Sequence, residues 1–340
     1  ADRGIGMSIG TSTATNTPMR IDPIADGLTR GWKVTDGRRL EAPVHLDVDV
    51  CIVGTGAGGG MAADILTKAG LTVAMVEEGP LRSSSDFRMR ESEAYPDLYQ
   101  ESAARKTRDK AINILQGRSV GGSTTVNWTS SFRTPTDTLA HWADVWGLKD
   151  HTPQALKPWF EEVEQALSIA PWALPPNENN EALRRGAQRL GIKAEVISRN
   201  VKQCANLGYC GMGCPVNAKQ SMLVTTIPAA LERGAHLLHG VRAQRLLRSG
   251  DRITALEAWA MDPSGLHPRE CAVTIRARTF VVAAGAINTP ALLMRSSIPD
   301  ESGLLGQRTF LHPTVVGASI MPHEVRGDAG APQTLYSDHY

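Results

Sequence analysis

The stretch "DVDVCIVGTGAGGGMAADILTKAGLTVAMVEEG" (47–79) constrains the fold more than any other part of the chain. Val48, Val50, Ile52 and Val53 belong to a β-branched, nearly all-apolar run, the pattern of a buried parallel strand. Glycines follow at 54, 56, 58, 59 and 60. Met61 to Lys68 reads as a helix with Ala62, Ile65, Leu66 and Ala69 on one face, stopped by Gly70. "LTVAMVE" reads as a second buried strand, completing a βαβ unit of the usual size, about 30 residues.

Gly54, Gly56 and Gly59 fit G-x-G-x-x-G. The first permits the tight turn, the second lets backbone approach a pyrophosphate, and the third lets the helix pack closely. A helix N-terminus beside them offers free N–H groups and the positive end of its dipole to phosphate. Glu77 ends the second strand about 20 residues further on, where an acid can accept from both ribose hydroxyls. A carboxylate there repels a 2′-phosphate, which disfavours NADP. The fingerprint alone does not separate NAD from FAD.

The chain has 340 residues and a formal net charge of +1. Near neutrality gives no electrostatic case for nucleic acid or anionic membrane as partner. No apolar stretch is long enough to span a bilayer. The start lacks the apolar core of a secretory signal and reads as an irregular extension or a processing remnant. Five cysteines, mostly clustered, argue against a secreted disulfide framework.

Residues 1–45 read as irregular, and 46–135 as the first part of a dinucleotide-binding domain. A helical, Trp-rich insertion on the substrate side spans 136–200. It carries Trp142, Trp146, Trp159 and Trp172; Trp142 and Trp146 share a helix face and are expected to pack in the core, with an apolar substrate wall as the alternative. "NNEALRRGAQRLG" (179–191) reads as an amphipathic helix closed by Gly191. The cysteine loop and the second part of the nucleotide domain span 201–310, with strands joined by turns at 249–251 and 262–265. Residues 311–340 read as the start of a substrate-binding domain, and "GQRTFLHPTVVGASI" as a strand region.

Further motifs narrow the cofactor. "GRSVGGSTTVN" (117–127) followed by "FRTP" resembles the first signature of the glucose–methanol–choline (GMC) flavoprotein oxidoreductases, and "GAINTPALLMRSS" (285–297) resembles the second. "EEGP", "HW" at 141–142, "LKPWFEEVE" at 156–164 and "LHP" at 311–313 follow in family order. The cysteine segment and "NAKQSM" look most like the bacterial alcohol dehydrogenase and long-chain fatty alcohol oxidase branch. The resemblance implies an α/β fold: a Rossmann-like FAD-binding domain with a helical insertion and an incomplete substrate domain.

It also implies FAD. Gly54, Gly56, Gly59 and Glu77 would hold its ADP half, with Ala243 a backbone contact near adenine. Arg118, Gly121, Gly122, Ser123 and Asn127 would line the pyrophosphate and flavin ring, and Ala284 and Gly285 would close over the cofactor. Some family members carry a flavin-linked histidine before this asparagine; Val126 stands there, so non-covalent FAD is expected. The second signature usually continues with Ser-Gly, whereas this chain has Ser296-Ser297-Ile298-Pro299.

The implied activity is oxidation of an alcohol CH–OH group, an apolar or aromatic primary alcohol above a sugar, with a protein or quinone among the electron acceptors. The family's base is a C-terminal histidine, and no segment here matches that region. No catalytic residue is therefore assigned; His312 matches a structural or flavin-side family position. Either the chain is the N-terminal portion of a longer protein or a second polypeptide completes the site. A flavin electron-transfer module is the alternative. The branch suggests a bacterial, cytoplasmic protein.

Cys204, Cys210 and Cys214 leave three readings open: loop-bracing thiols or a disulfide, an iron–sulfur cluster, or zinc. Some bacterial family members that feed cytochromes hold a three-cysteine cluster with the same last spacing.

Overall fold

The βαβ unit forms where the apolar periodicity places it. The computed structural model describes residues 22–311 and 314–339. Helix α1 (Pro23–Thr29) and strand β1 (Lys33–Asp36) precede β2 (Val44–Val53), α2 (Ala57–Lys68) and β3 (Val73–Glu77). Next come α3 (Glu91–Leu98), α4 (Ser123–Val126), β4 (Ser130–Ser131), α5 (Thr136–Trp146), α6 (Pro153–Ala166), β5 (Ile169–Pro171) and α7 (Glu178–Arg189). The chain continues through β6 (Glu195–Val196), β7 (Ser198–Asn200), α8 (Thr226–Glu232) and β8 (His236–His239). It ends with β9 (Val241–Ser249), β10 (Arg252–Met261), β11 (Pro268–Val282), α9 (Gly285–Arg295) and β12 (Leu335–Tyr336).

Seven strands make the main sheet in the order β1-β8-β3-β2-β11-β10-β9. From β1 to β11 the neighbours are parallel, and the β11-β10-β9 edge is an antiparallel meander. All of β3 is buried, as its apolar run requires. Alternate residues of β2 and β3 feed two cores. Val50, Ile52 and Met75 join Ile227 and Leu231 of α8 on one face. Cys51, Val53, Ala74 and Val76 join Leu256, Ile275 and Leu292 on the other. Burial pushes the Cys51 thiol up to about 12, so it is packing rather than chemistry. β4, β7 and β5 form a small second sheet, and β12 pairs with β6.

Several expectations are corrected. Residues 23–36 are ordered elements rather than an irregular arm: Asp22 caps α1, Pro23 occupies its first turn, and β1 pairs in parallel with β8. The buried face of α2 is Gly59, Gly60, Ala63, Asp64 and Thr67, while Ile65 is 50 % exposed. Small residues win that face because α8 and the segment before it lie against it: a Cβ on Gly60 would fall 2.9 Å from Met222 and 3.0 Å from Thr226 of α8. Trp172 is buried and Trp142 half-buried, but Trp146 is exposed, so core packing does not hold for it; Trp159 is exposed as well. No strand forms over 314–321, where Val315, Val316 and Ile320 lie exposed without a pairing partner. His312 lies outside the described residues.

Candidate functional site

Because β2 is flanked by β3 on one side and β11 on the other, the chain leaves it at a topological switch point. A crevice opens there at the carboxyl ends of the strands, the usual ligand position in such sheets. It is a cavity of about 660 Å³. Gly54, Gly56, Glu77, Arg118, Gly122, Ser123, Ala243, Ala284 and Gly285, all expected site residues, line it together. Gly59, Gly121 and Asn127 do not line it.

The glycines divide by what a side chain would meet. Gly54 has φ +94°, and a Cβ there would lie 2.5 Å from the Ala283 carbonyl oxygen. Gly59 is closed in by backbone, since its Cβ would fall 1.9 Å from the Gly54 carbonyl oxygen. Gly56 is different. Its φ is −67°, and a Cβ there would meet nothing closer than Gly122 Cα at 3.9 Å. Nothing in the protein requires a glycine at 56, so the space above it suits a ligand that approaches the backbone. Gly56 is also the N-cap of α2, and no side chain caps that helix. Ala57 and Gly58 of its first turn line the cavity, and the first N–H groups of a helix lack intrahelical partners, which is the arrangement that binds phosphate oxygens.

Glu77 sits at the base of the cavity, 8 % exposed. Its Oε2 accepts from the Thr55 N–H at 3.1 Å and the Thr55 hydroxyl at 2.8 Å, and Oε1 accepts from Gly79 N–H at 3.1 Å. Burial holds its carboxyl above the usual carboxylate range, against the pull of those hydrogen bonds. Arg118 is buried; its guanidinium donates to the Gly265 carbonyl and lies 3.6 Å from Glu78, which also takes Arg242 at 3.0 Å. Asn127 follows α4 as its C-cap, with an exposed side chain.

Arg105, Arg118, Arg242 and Arg295 line the cavity against Glu77 and Glu78, a surplus of two positive charges. That balance fits a diphosphate. Sequence reasoning missed Arg105, Glu78, Arg242 and Arg295. Arg242 and Arg295 carried a weak signal, since each adjoins or ends a recognised element. Arg105 carried none, because 81–116 has no periodicity to read.

The metal expectation is not supported. All five cysteines are free, and no group of three or more His, Cys, Asp or Glu among the described residues is placed to hold a metal ion. Arg199 Nη2 of β7 donates to Cys210 Sγ at 3.6 Å, and the Asn206 N–H to Cys204 Sγ at 3.4 Å, so one thiol ties the loop to β7 and the other bonds within the loop.

The family profile described as GMC oxidoreductase matches residues 95–314, and an uncharacterized GMC-type oxidoreductase of Sinorhizobium fredii is 32 % identical over 85 % of this chain. The chain belongs to the GMC oxidoreductase family. A second relative, a long-chain-alcohol oxidase of Arabidopsis thaliana, is 30 % identical over 81 % of the chain. The chain spans 56 % of the length of the first and 37 % of the second. Among solved structures, pyridoxine 4-oxidase from Mesorbium loti superposes with a TM-score of 0.56 and 21 % identity, covering 74 % of this chain and 52 % of that one. A formate oxidase of Aspergillus oryzae studied for its FAD modification gives 0.54 and 18 %, covering 76 % and 48 %. The fold is thus the FAD-binding fold of GMC oxidoreductases. No helix among the described residues is long and apolar enough to cross a membrane.

Proposed function

We propose that this chain is the FAD-binding portion of an oxidoreductase that oxidises the CH–OH group of an alcohol. The observation that carries the reading is convergence. Turns from three separate stretches, around 54–56, 117–122 and 284–285, meet at one cavity with surplus positive charge and an uncapped helix N-terminus. The GMC membership supports FAD as the ligand of that cavity.

In this reading Gly54, Gly56 and the first turn of α2 hold the diphosphate, with Arg105 completing its charge. Glu77 accepts from ribose hydroxyls, and the backbone at Ala243 borders adenine. Arg118, Gly122 and Ser123 line the way to the flavin ring, Asn127 presents its amide to the ring's edge, and Ala284 and Gly285 close over the cofactor. Gly59 and Gly121 act behind the cavity wall, as spacers. Val126, buried at the end of α4, offers no nucleophile, so FAD is held without a covalent bond. FAD, when bound, supplies the hydride acceptor.

The chain's own part is to bind, orient and shield; the proton of the alcohol needs a base from elsewhere. The His236 ring is hydrogen-bonded to the Thr35 hydroxyl at the sheet edge, and His239 is buried on β8 beside Glu77 of β3. In this reading the base comes, as the family resemblance implies, from the rest of a longer protein or from a second polypeptide. Exposed Trp128 and Phe132, just before the insertion, and Trp159 within it support an apolar or aromatic primary alcohol, as does the kinship to long-chain-alcohol oxidases.

Anaerobic addition of a medium-chain primary alcohol to the full-length protein tests the reading. Bleaching of the flavin absorbance is expected. A flavin spectrum that no alcohol bleaches would overturn it in favour of an electron-transfer module.

A further inference from the structure

Five consecutive residues after the second glycine turn, Thr125 to Thr129, are gripped from behind by two buried cations. Lys219 is 3 % exposed and Arg199 is 1 % exposed. The Lys219 ammonium donates to three backbone carbonyls: Thr125 at 2.8 Å, Asn127 at 2.7 Å and Cys210 at 2.7 Å. Arg199 donates to the Trp128 carbonyl at 2.9 Å, the Thr129 hydroxyl at 2.8 Å and the Gln333 carbonyl at 2.9 Å, and its guanidinium lies 4.9 Å from the Trp172 ring centroid. The Tyr99 hydroxyl donates to the Gly211 carbonyl at 2.6 Å, tying the cysteine loop to the same strip.

Neither cation has a carboxylate partner among the described residues. Buried charges are costly and are normally paired, so two unpaired ones on one strip call for a reason. Burial pushes the Lys219 ammonium down to about 8, while the Cys210 and Cys214 thiols pull it back up and Arg199 depresses it further. All three donors of the ammonium are used on carbonyls, a geometry that a neutral side chain of similar length cannot reproduce. Of the strip's polar side chains, Asn127 is the exposed one, and its amide has no hydrogen-bond partner among the described residues.

We propose that Lys219 and Arg199 form a cationic clamp that positions Asn127 against the flavin ring and holds positive charge beside it. The inference rests on the FAD reading. Both are positioning residues: they touch the strip, not the cofactor. In the FAD reading Asn127 stands at the ring, so these buried charges would lie behind the place where reduction adds negative charge, and fixed charge in a buried site acts strongly. The cysteine loop has a role in this account as well, since it supplies one of the carbonyls through which Lys219 is anchored.

The test uses the FAD-loaded protein and sulfite, which adds reversibly to oxidised flavins and binds better where nearby positive charge stabilises the adduct. Lys219→Met is expected to raise the dissociation constants for FAD and for sulfite at least tenfold each, and Arg199→Met to move both in the same direction. Because these buried changes also threaten folding, Asn127→Ala serves as the second variant. It should leave the melting temperature unchanged and still weaken FAD and sulfite at least fivefold. A double Lys219→Met, Asn127→Ala protein should then lose no more than the worse single variant. Sulfite affinity unchanged in Asn127→Ala, or in a folded Lys219→Met, would overturn the clamp. Failure of the FAD reading would look different, since no variant and no parent would bind flavin at all.

Discussion

The Thr55 hydroxyl donates to Glu77 Oε2 at 2.8 Å and accepts from the Gly121 N–H at 3.1 Å. One fully buried side chain thus joins the first glycine turn, the acid that ends β3 and the second glycine turn. The three motifs are far apart in sequence, and this hydroxyl fixes their spacing around the cavity.

Thr55→Val keeps the shape and removes the hydroxyl. The Gly121 N–H loses its acceptor, and Glu77 keeps only the backbone donors of Thr55 and Gly79. A buried group left short of a partner costs about 1–3 kcal/mol. Urea denaturation is expected to show that loss, with FAD bound roughly tenfold more weakly, since 1.4 kcal/mol is a factor of ten.

Gly56→Ala and Gly59→Ala separate binding from folding. At 56 the added methyl meets nothing closer than 3.9 Å, so stability should stay within about 0.5 kcal/mol while FAD binding is lost. At 59 the methyl overlaps the Gly54 carbonyl, so the apoprotein itself should lose about 1–3 kcal/mol or more. Thermal melts of both apoproteins, beside FAD titrations, read the difference.

Acid should weaken the fold through His239. Burial lowers its pKa from 6.5 to about 4, and the nearby Asp36 carboxylate only partly opposes this. The unfolded chain therefore binds a proton that the folded chain refuses between pH 6.5 and 4. Stability present above pH 6.5 is lost as the pH falls through that window, by up to about 3 kcal/mol. Its Nδ1 accepts from the Leu81 N–H at 3.3 Å, so His239→Asn can keep an acceptor there without titrating. Urea midpoints at pH 7 and 4.5 should converge for that variant.

Arg105 reaches the cavity from a loop, held by Glu101 at 2.8 Å and Gln116 at 2.9 Å. Arg105→Gln should change stability by less than about 1 kcal/mol, because the ion pair is half-exposed. FAD affinity should nonetheless fall about tenfold at low salt and less at high salt, as expected for a charge acting on a diphosphate. Flavin fluorescence titrations at two ionic strengths measure it.

What could be read in the sequence was what local pattern controls. The β2-α2-β3 unit, α7 with its Gly191 stop and the turns between β9, β10 and β11 follow from period, caps and glycine placement. What could not be read depends on distant partners. β1 is four residues long and exists as a strand because β8 lies beside it, although the Asp22-Pro23 cap before α1 was there to be seen. The i, i+4 tryptophans of α5 announced one apolar face, but period says nothing about whether that face is covered, and Trp146 remains 57 % exposed. In the site, the glycine turns and Glu77 were legible because their chemistry is local. Lys219 was not, because a single lysine in "NAKQ" gives no hint that three carbonyls, two from the 125–129 strip and one from the cysteine loop, surround it.

The most direct measurement is the visible spectrum of the purified full-length protein before and after acid precipitation. The account predicts a flavin spectrum, with the pigment released into the supernatant and identified there as FAD. A colourless protein that takes up no added FAD, or a flavin that stays with the precipitate, would contradict it.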